Sequence, residues 1–205
     1  MARRGDQLRE HILWTAKDVF LEMGFERASM DVLAARAETS KRTLYAHFDN
    51  KDTLFLAVVG FVRELHLGRM GQPQDYGHDP IEAVTRYCLR FQQQLVWVQS
   101  VRTCRLVVAE AERLPRAAAD YYDAVFATAR RDLAAFAAAH WELPEPDALG
   151  VSDEILTGAV YSRFVAVLFG AAEPTAERID AAPSSADPDY ERIRRIVATV
   201  LDSRG

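Results

Sequence analysis

Lys41, Arg42, Thr43, Tyr45 and His47 fall within seven residues and together offer two cations, a hydroxyl, a phenol and an imidazole. These are hydrogen-bond donors and charges suited to an anionic partner, not a nucleophile and its base. Read as a short helix, the stretch has Ser40 as its N-cap, a side-chain oxygen that satisfies an orphan N–H. At about 100° per residue, Arg42, Tyr45 and Ala46 share one stripe, with Lys41 at the entering turn. Leu44 and Phe48, four apart, take the opposite side and are the residues to bury. Ala46 permits close approach. A polar, cationic stripe on a helix of about two turns suits the major groove of DNA, which admits one α-helix.

Such a helix must be held at a fixed angle, and the preceding residues supply the means. Residues 29–37 read as a second short helix, capped by Ser29 and carrying Asp31 in its first turn. Only Glu38 and Thr39 intervene before Ser40, so the two helices turn sharply, in helix-turn-helix length and order. Ahead of them, Asp6 caps a supporting helix with Leu8, Ile12, Ala16, Val19, Phe20 and Met23 at three- and four-residue spacing. Gly24 stops it, and Phe25 folds back as the accompanying apolar contact. Arg3 and Arg4 precede it as a loose basic arm. Asn50 caps the next helix, whose stripe runs through Leu54, Phe55, Val58, Val59, Val62 and Leu65 to about Leu67 and leads away from the reading unit.

Residues 12–59 resemble the TetR family of bacterial transcriptional regulators. The resemblance is carried, in order and spacing, by Ile12-Leu13, Ala16, Phe20, Gly24-Phe25, Ser29-Met30-Asp31, Leu33-Ala34, Ala37, Ser40-Lys41, Thr43-Leu44-Tyr45, His47-Phe48 and Lys51-Asp52. One departure stands out: the turn that usually reads Ala-Gly-Val-Ser is Ala37-Glu38-Thr39-Ser40 here. Glycine tolerates positive φ at such a turn, so Glu38 implies modest strain and adds a negative charge near DNA. The resemblance implies that Lys41, Arg42 and Thr43 contact base edges or nearby phosphates. Tyr45, His47 and Lys51 are expected to hold backbone phosphates, aided by the N–H groups at the start of the Lys51 helix. Ser29, Thr39 and Ser40 complete the expected DNA-binding set. His47 reads equally well as a packed structural histidine.

The resemblance further implies an all-α chain in two parts: an N-terminal three-helix DNA-binding domain, residues 1–58, and a C-terminal helical domain for effector binding and dimerisation, residues 59–205. Residues 68–80, rich in Gly and Pro, read as a linker. Helices follow over 81–98, through Val101 and Leu106 to Ala111, and from Pro115 to about His140. Residues 141–150 read as a break, and 171–188, rich in Ala, Pro, Ser and Asp, as a mobile connection. Between them and after them lie two helices, 152–169 and 190–201. Their apolar positions Ile155, Val160, Phe164, Tyr190, Ile193, Val197 and Val200 resemble the family's four-helix dimer interface. Aromatic residues exceed what packing alone needs, so Phe91, Tyr122, Phe126 and Phe164, fixed by Arg105 or Arg163, are expected to line a cavity for a small apolar or aromatic effector.

Charge distribution agrees with a local DNA contact. The chain of 205 residues has a net charge of −5, but residues 1–51 hold nine Arg/Lys against eight Asp/Glu, whereas 52–205 hold sixteen against twenty-two. Cys88 and Cys104 lie in apolar stretches and read as reduced, buried thiols; a redox-sensing pair is the other reading. No signal peptide or long apolar run is found, which predicts a soluble, cytoplasmic protein. Gly-x-Ser-x-Gly, phosphate-binding Gly-rich and His-Glu-x-x-His patterns are all missing, and the five histidines lack ligand spacing. No catalytic residue, cofactor or metal is therefore expected. The combined reading is a homodimeric regulator that binds a double-stranded operator and releases it on binding an effector, most simply a repressor. The alternative is a helical protein-interaction module or ligand-binding bundle without DNA binding; it would place apolar anchors on the 41–47 stripe, where cations and hydroxyls stand instead.

Overall fold

The computed structural model describes residues 4–202. The basic arm at Arg3 and Arg4 lies outside the described residues, apart from the backbone of Arg4. The described chain is all-α. It comprises α1 (Arg4–Arg27), α2 (Met30–Arg36), α3 (Lys41–His47), α4 (Lys51–Met70), α5 (Pro80–Val96), α6 (Val98–Ala109), α7 (Pro115–Tyr122), α8 (Thr128–Trp141), α9 (Glu145–Leu156), α10 (Ser162–Leu168) and α11 (Tyr190–Asp202). A 3₁₀ turn, Pro73–Tyr76, precedes α5. The helices form two compact units, one of residues up to 65 with 102–121, the other of 66–101 with 122 onward. Among the described residues no helix is long and apolar enough to cross a membrane.

In the first unit Ile12, Val19, Phe20, Leu33, Leu44, Leu54 and Phe55 are buried, so α1–α4 share one core. Gly24 bends α1 with φ 76°, which lets Phe25 turn back to stack on Phe20 at 5.9 Å and meet the edge of Phe55 at 5.2 Å. α4 is capped as the sequence predicts: Asn50 Oδ1 accepts from Thr53 N–H, while Thr53 Oγ1 accepts from Asn50 N–H. Arg113, just before α7, lies 3.7 Å from the centre of the Phe25 ring and pairs with Asp52 at 2.7 Å. Nothing in the local pattern around Arg113 announces this contact, because its partners are 61 and 88 residues away.

In the second unit α5 is buried on nearly every side, including Ala83, Val84, Tyr87, Cys88, Leu89, Phe91, Leu95 and Val96. A helix buried all round is the centre of its unit. α8 and α9 form an antiparallel pair tied by Ser152 Oγ donating to the Arg130 carbonyl at 2.9 Å and by the Arg130–Asp153 ion pair. α11 approaches so closely that a Cβ on Gly158 would come within 3.1 Å of Ile196.

Four expectations about this half need correction. Residues 68–80 are not a bare linker: α4 runs on to Met70, and Tyr76 in the 3₁₀ turn donates to the Met70 carbonyl. The break at 141–150 is a tight connection, in which Glu142 at φ 51° ends α8 and α9 starts by Glu145. Two helices read as uninterrupted contain π-helical turns, Asp123–Ala127 and Thr157–Tyr161. Residues 171–188 are pinned rather than mobile. Thr175 pairs through its backbone with Val96 and Val98, and Arg90 donates to the carbonyls of Ile179 and Ala181 at 2.7 and 2.5 Å. Gln93 and Gln92 reach Asp187 and Asp189, both at 2.9 Å. The buried polar groups of α5 need partners, and this segment supplies backbone carbonyls and carboxylates that composition does not reveal.

The assignment of dimer-interface residues is also corrected. Ile155, Val160, Ile193 and Val197 have no exposed surface in the single chain, and Phe164 and Tyr190 are only 4% and 5% exposed. They pack the protomer's own core, as apolar stripes at helical spacing do when another helix of the same chain lies against them. Val200 is half-buried.

Candidate nucleic-acid interface

The interface is built from two short helices and the turn between them. α2 begins at Ser29, whose Oγ accepts from Val32 N–H at 3.2 Å, and α3 begins at Ser40, whose Oγ accepts from Thr43 N–H at 3.0 Å. Seven-residue helices are too short to be stable alone, so these caps and the burial of Leu33 and Leu44 hold them. Thr39 N–H donates to the Ala34 carbonyl and Glu38 N–H to that of Ala35, at 3.0 and 3.2 Å, which is a Schellman closure of α2. Its C′ position takes a left-handed residue, usually glycine; here it is Glu38, at φ 50°. The strain expected from the sequence therefore lies where the departure from the family pattern occurs. His11 further holds the turn through the Ala37 carbonyl at 3.2 Å.

α3 then divides by face. Leu44 is fully buried and Phe48 nearly so, while Lys41, Arg42, Tyr45 and Ala46 are exposed and Thr43 and His47 half-buried. The exposed side offers a guanidinium, an ammonium and a phenol around a methyl-sized gap. Arg42 makes no ion pair among the described residues and projects from α3 unopposed. Lys41 is tied at 2.8 Å to Asp31, and this hydrogen-bonded pairing holds its ammonium above the ordinary lysine range. Ser40 and Thr43 share a hydroxyl contact of 2.7 Å. Ser29, Thr39 and Ser40 border the same surface, all at least partly exposed.

Lys51 departs from expectation. Its ammonium donates to the Phe25 carbonyl at 2.9 Å and sits 4.1 Å from the centre of the Phe25 ring. It caps the end of α1 and joins it to α4, so its side chain is turned to a structural task. His47 is half-buried with its ring 6.3 Å from that of Phe48, which leaves both of its readings standing.

The expected effector residues separate in the same way. Phe91, Phe126 and Phe164 do come together: Phe126 lies 6.5 Å from Phe91 and 5.8 Å from Phe164, with Tyr122 stacked on it at 5.8 Å. Arg163 is not with them; it pairs with Asp189. Arg105 is exposed on α6 in the first unit. A cavity of about 260 Å³ in the second unit is lined instead by His66, Leu67, Met70, Gly71, Gln72, Tyr87, Ala124, Val125, Thr128, Ala129 and Asp132, none of them among the expected effector residues. Burial pushes His66 down to about 4 and raises Asp132 above the usual carboxylate range. Cys88 and Cys104 are also buried, which pushes their thiols up to about 12 and about 11.

Comparison with known proteins agrees with this geometry. The profile of the N-terminal domain of bacterial regulatory proteins of the TetR family matches residues 12–58, and that of the C-terminal domain of AefR-like transcriptional repressors matches residues 82–145. The transcriptional activator FasR of Mycolicibacterium smegmatis is 44% identical over 62 residues, 28% of each chain. The regulator UidR of Escherichia coli is 30% identical over 125 residues, 58% of this chain and 59% of that one. The chain thus matches well under two thirds of the length of these curated relatives. Among solved structures, a TetR-family regulator from Mesorhizobium loti superposes with TM-score 0.73 at 18% identity, covering 98% of this chain and 96% of that one. The flavonoid-responsive regulator FrrA gives 0.72 at 23%, covering 97% and 95%. At such identities the structures speak for the fold alone. Fold and both family profiles converge: this chain belongs to the TetR family of DNA-binding transcriptional regulators, a family of regulators rather than enzymes.

Proposed function

We propose that the protein is a homodimeric, effector-responsive repressor of the cytoplasm, with residues 1–58 binding operator DNA and residues 59–205 binding a small apolar or aromatic molecule and pairing the subunits. The observation that carries the reading is the outward face of α3, where Arg42 and Tyr45 project beside the Asp31-bound Lys41 while Leu44 and Phe48 anchor the helix from behind. DNA contact would exchange the Lys41–Asp31 pair for a phosphate, and Arg42 would enter the groove. One reading helix makes few base contacts, which favours two copies on half-sites about one helical turn apart. For the subunit interface we propose the outer side of α10, where Val165 and Phe169 are 47% and 81% exposed, in place of the buried positions corrected above. α4 contributes residues to both compact units, so it is the element through which an effector would bias DNA affinity.

The test is selection of genomic fragments by the purified chain, followed by footprinting and light scattering. The expected result is protection of an inverted repeat by a dimer. Protection of a single half-site by a monomer would contradict it, and a dimer unaffected by Phe169→Glu would move the interface elsewhere.

A further inference from the structure

The cavity in the second unit has an electrostatic character that the apolar-effector reading leaves unused. Arg130 and Arg131 immediately precede Asp132 in sequence, yet each makes its ion pair elsewhere, with Asp153 at 2.5 Å and with Asp123 at 2.9 Å. Asp132, half-buried on the cavity wall, makes no hydrogen bond or ion pair among the described residues; Arg131 nearby favours its charge, but burial outweighs that and keeps its pKa raised. A carboxylate taken partly out of water, with a cation near it but none in direct contact, is an unfavourable arrangement that a bound cation would relieve. The other polar groups do not supply that cation. Thr128 Oγ1 donates to the Asp123 carbonyl and accepts at 3.0 Å from Arg131, whose charge is paired with Asp123, and Tyr87 OH donates to the Ala129 carbonyl. His66 is neutral in its buried setting, beside Arg69, and its ring rests against Phe91. Leu67, Met70, Ala124, Val125 and Ala129 supply the apolar lining, and Gly71 and the neutral Gln72 complete the wall.

The cavity is also placed where helices commonly carry function. Ala124 and Val125 belong to the π-helical turn Asp123–Ala127, and such turns recur at functional sites. The same turn sends Phe126 into the aromatic cluster with Phe91 and Tyr161, at 6.5 and 6.1 Å. A cavity of about 150 Å³ accommodates benzene, so 260 Å³ corresponds to a body of about two fused rings.

We propose that the effector is an organic amine, protonated at neutral pH, with an apolar body of about two rings, whose ammonium is held by Asp132. This rests on the reading of the second unit as the effector domain. An anion would be repelled by Asp132, and a neutral hydroxyl would donate one hydrogen bond without offsetting the charge; a charge-assisted hydrogen bond is roughly twice as strong.

The experiment titrates the full chain with three probes of equal body, 1-naphthylmethylamine, 1-naphthalenemethanol and 1-naphthoate, and follows heat of binding and melting temperature. The expected result is an amine affinity at least about tenfold above that of the alcohol, with no naphthoate binding. Asp132→Asn should bring amine and alcohol within about twofold of each other, while Asp132→Glu keeps the preference; circular dichroism verifies that both variants are folded. Equal or tighter binding of the alcohol or naphthoate would overturn the amine assignment and leave an effector of another class. Binding of none of the three at millimolar concentration would overturn this cavity as the effector site as well.

Discussion

Lys41 Nζ lies 2.8 Å from Asp31 Oδ1, across the turn that separates the two short helices. α3 therefore carries one cation already paired and one, Arg42, that makes no ion pair among the described residues. Asp31→Asn should release Lys41 and raise DNA affinity by roughly two- to fivefold, the scale of an exposed pair. The gain should shrink as salt is added, because exposed charges are screened. Fluorescence anisotropy at two salt concentrations measures it; an affinity that falls at both would show that Asp31 orients Lys41 for DNA instead of withholding it.

Glu38 occupies a left-handed position at φ 50°. Glycine adopts that conformation without the clash of a Cβ, so Glu38→Gly should stabilise the fold by about 1 kcal/mol and raise the melting temperature by a few degrees. It also removes a negative charge beside the interface, so DNA affinity should rise with stability. Calorimetry showing unchanged or lower stability would mean that the Glu38 side chain makes up the strain by other contacts.

His66 gives the protein a pH dependence of definite sign. Burial depresses it from an ordinary value near 6.5 to about 4. The unfolded chain then binds the proton more readily, so stability is full above pH 6.5 and is lost as pH falls through that window toward 4. The loss attributable to this one group is about 3 kcal/mol. His66→Phe should flatten the melting-temperature profile between those pH values. A profile identical to wild type would place the acid sensitivity in other groups.

Cys88 and Cys104 should behave as packed thiols and not as a redox pair. Both are held protonated by burial, which removes the thiolate that oxidation and disulfide exchange require. A chromogenic thiol reagent should react with neither in the native protein and with both after denaturation. Prompt native reaction of either one would overturn this.

What was legible in the sequence depended on how local the cause was. Ser29, Ser40 and Asn50 were readable as caps because a cap is a contact across three residues, and each makes the expected bond. Leu44 and Phe48 were readable as the inner side of α3 from helical spacing alone. Arg113 on Phe25, Arg90 on the carbonyls of 179 and 181, and Lys51 on the Phe25 carbonyl were not readable, since each joins residues 26 to 91 positions apart. The apolar stripe through Ile193 and Val197 showed that a face is buried but could not say whether its own chain or a second copy buries it. The cavity at Asp132 was hidden for a related reason: its character comes from the commitment of Arg130 and Arg131 to distant carboxylates.

The central claim is that α3 reads DNA, and one measurement addresses it most directly. Operator binding by wild type, Arg42→Ala and Tyr45→Ala should be followed across a salt series, with circular dichroism and light scattering as controls on folding and assembly. If two subunits together neutralise on the order of 8 phosphates, log affinity should fall with log salt at a slope near −7. Arg42→Ala should weaken specific binding by 1–3 kcal/mol if it contacts a base, or reduce the slope by about one unit if it contacts phosphate. Both variants should stay folded with the wild-type assembly state. Folded variants that bind the operator with wild-type affinity and wild-type salt dependence would contradict the assignment of α3 as the reading helix.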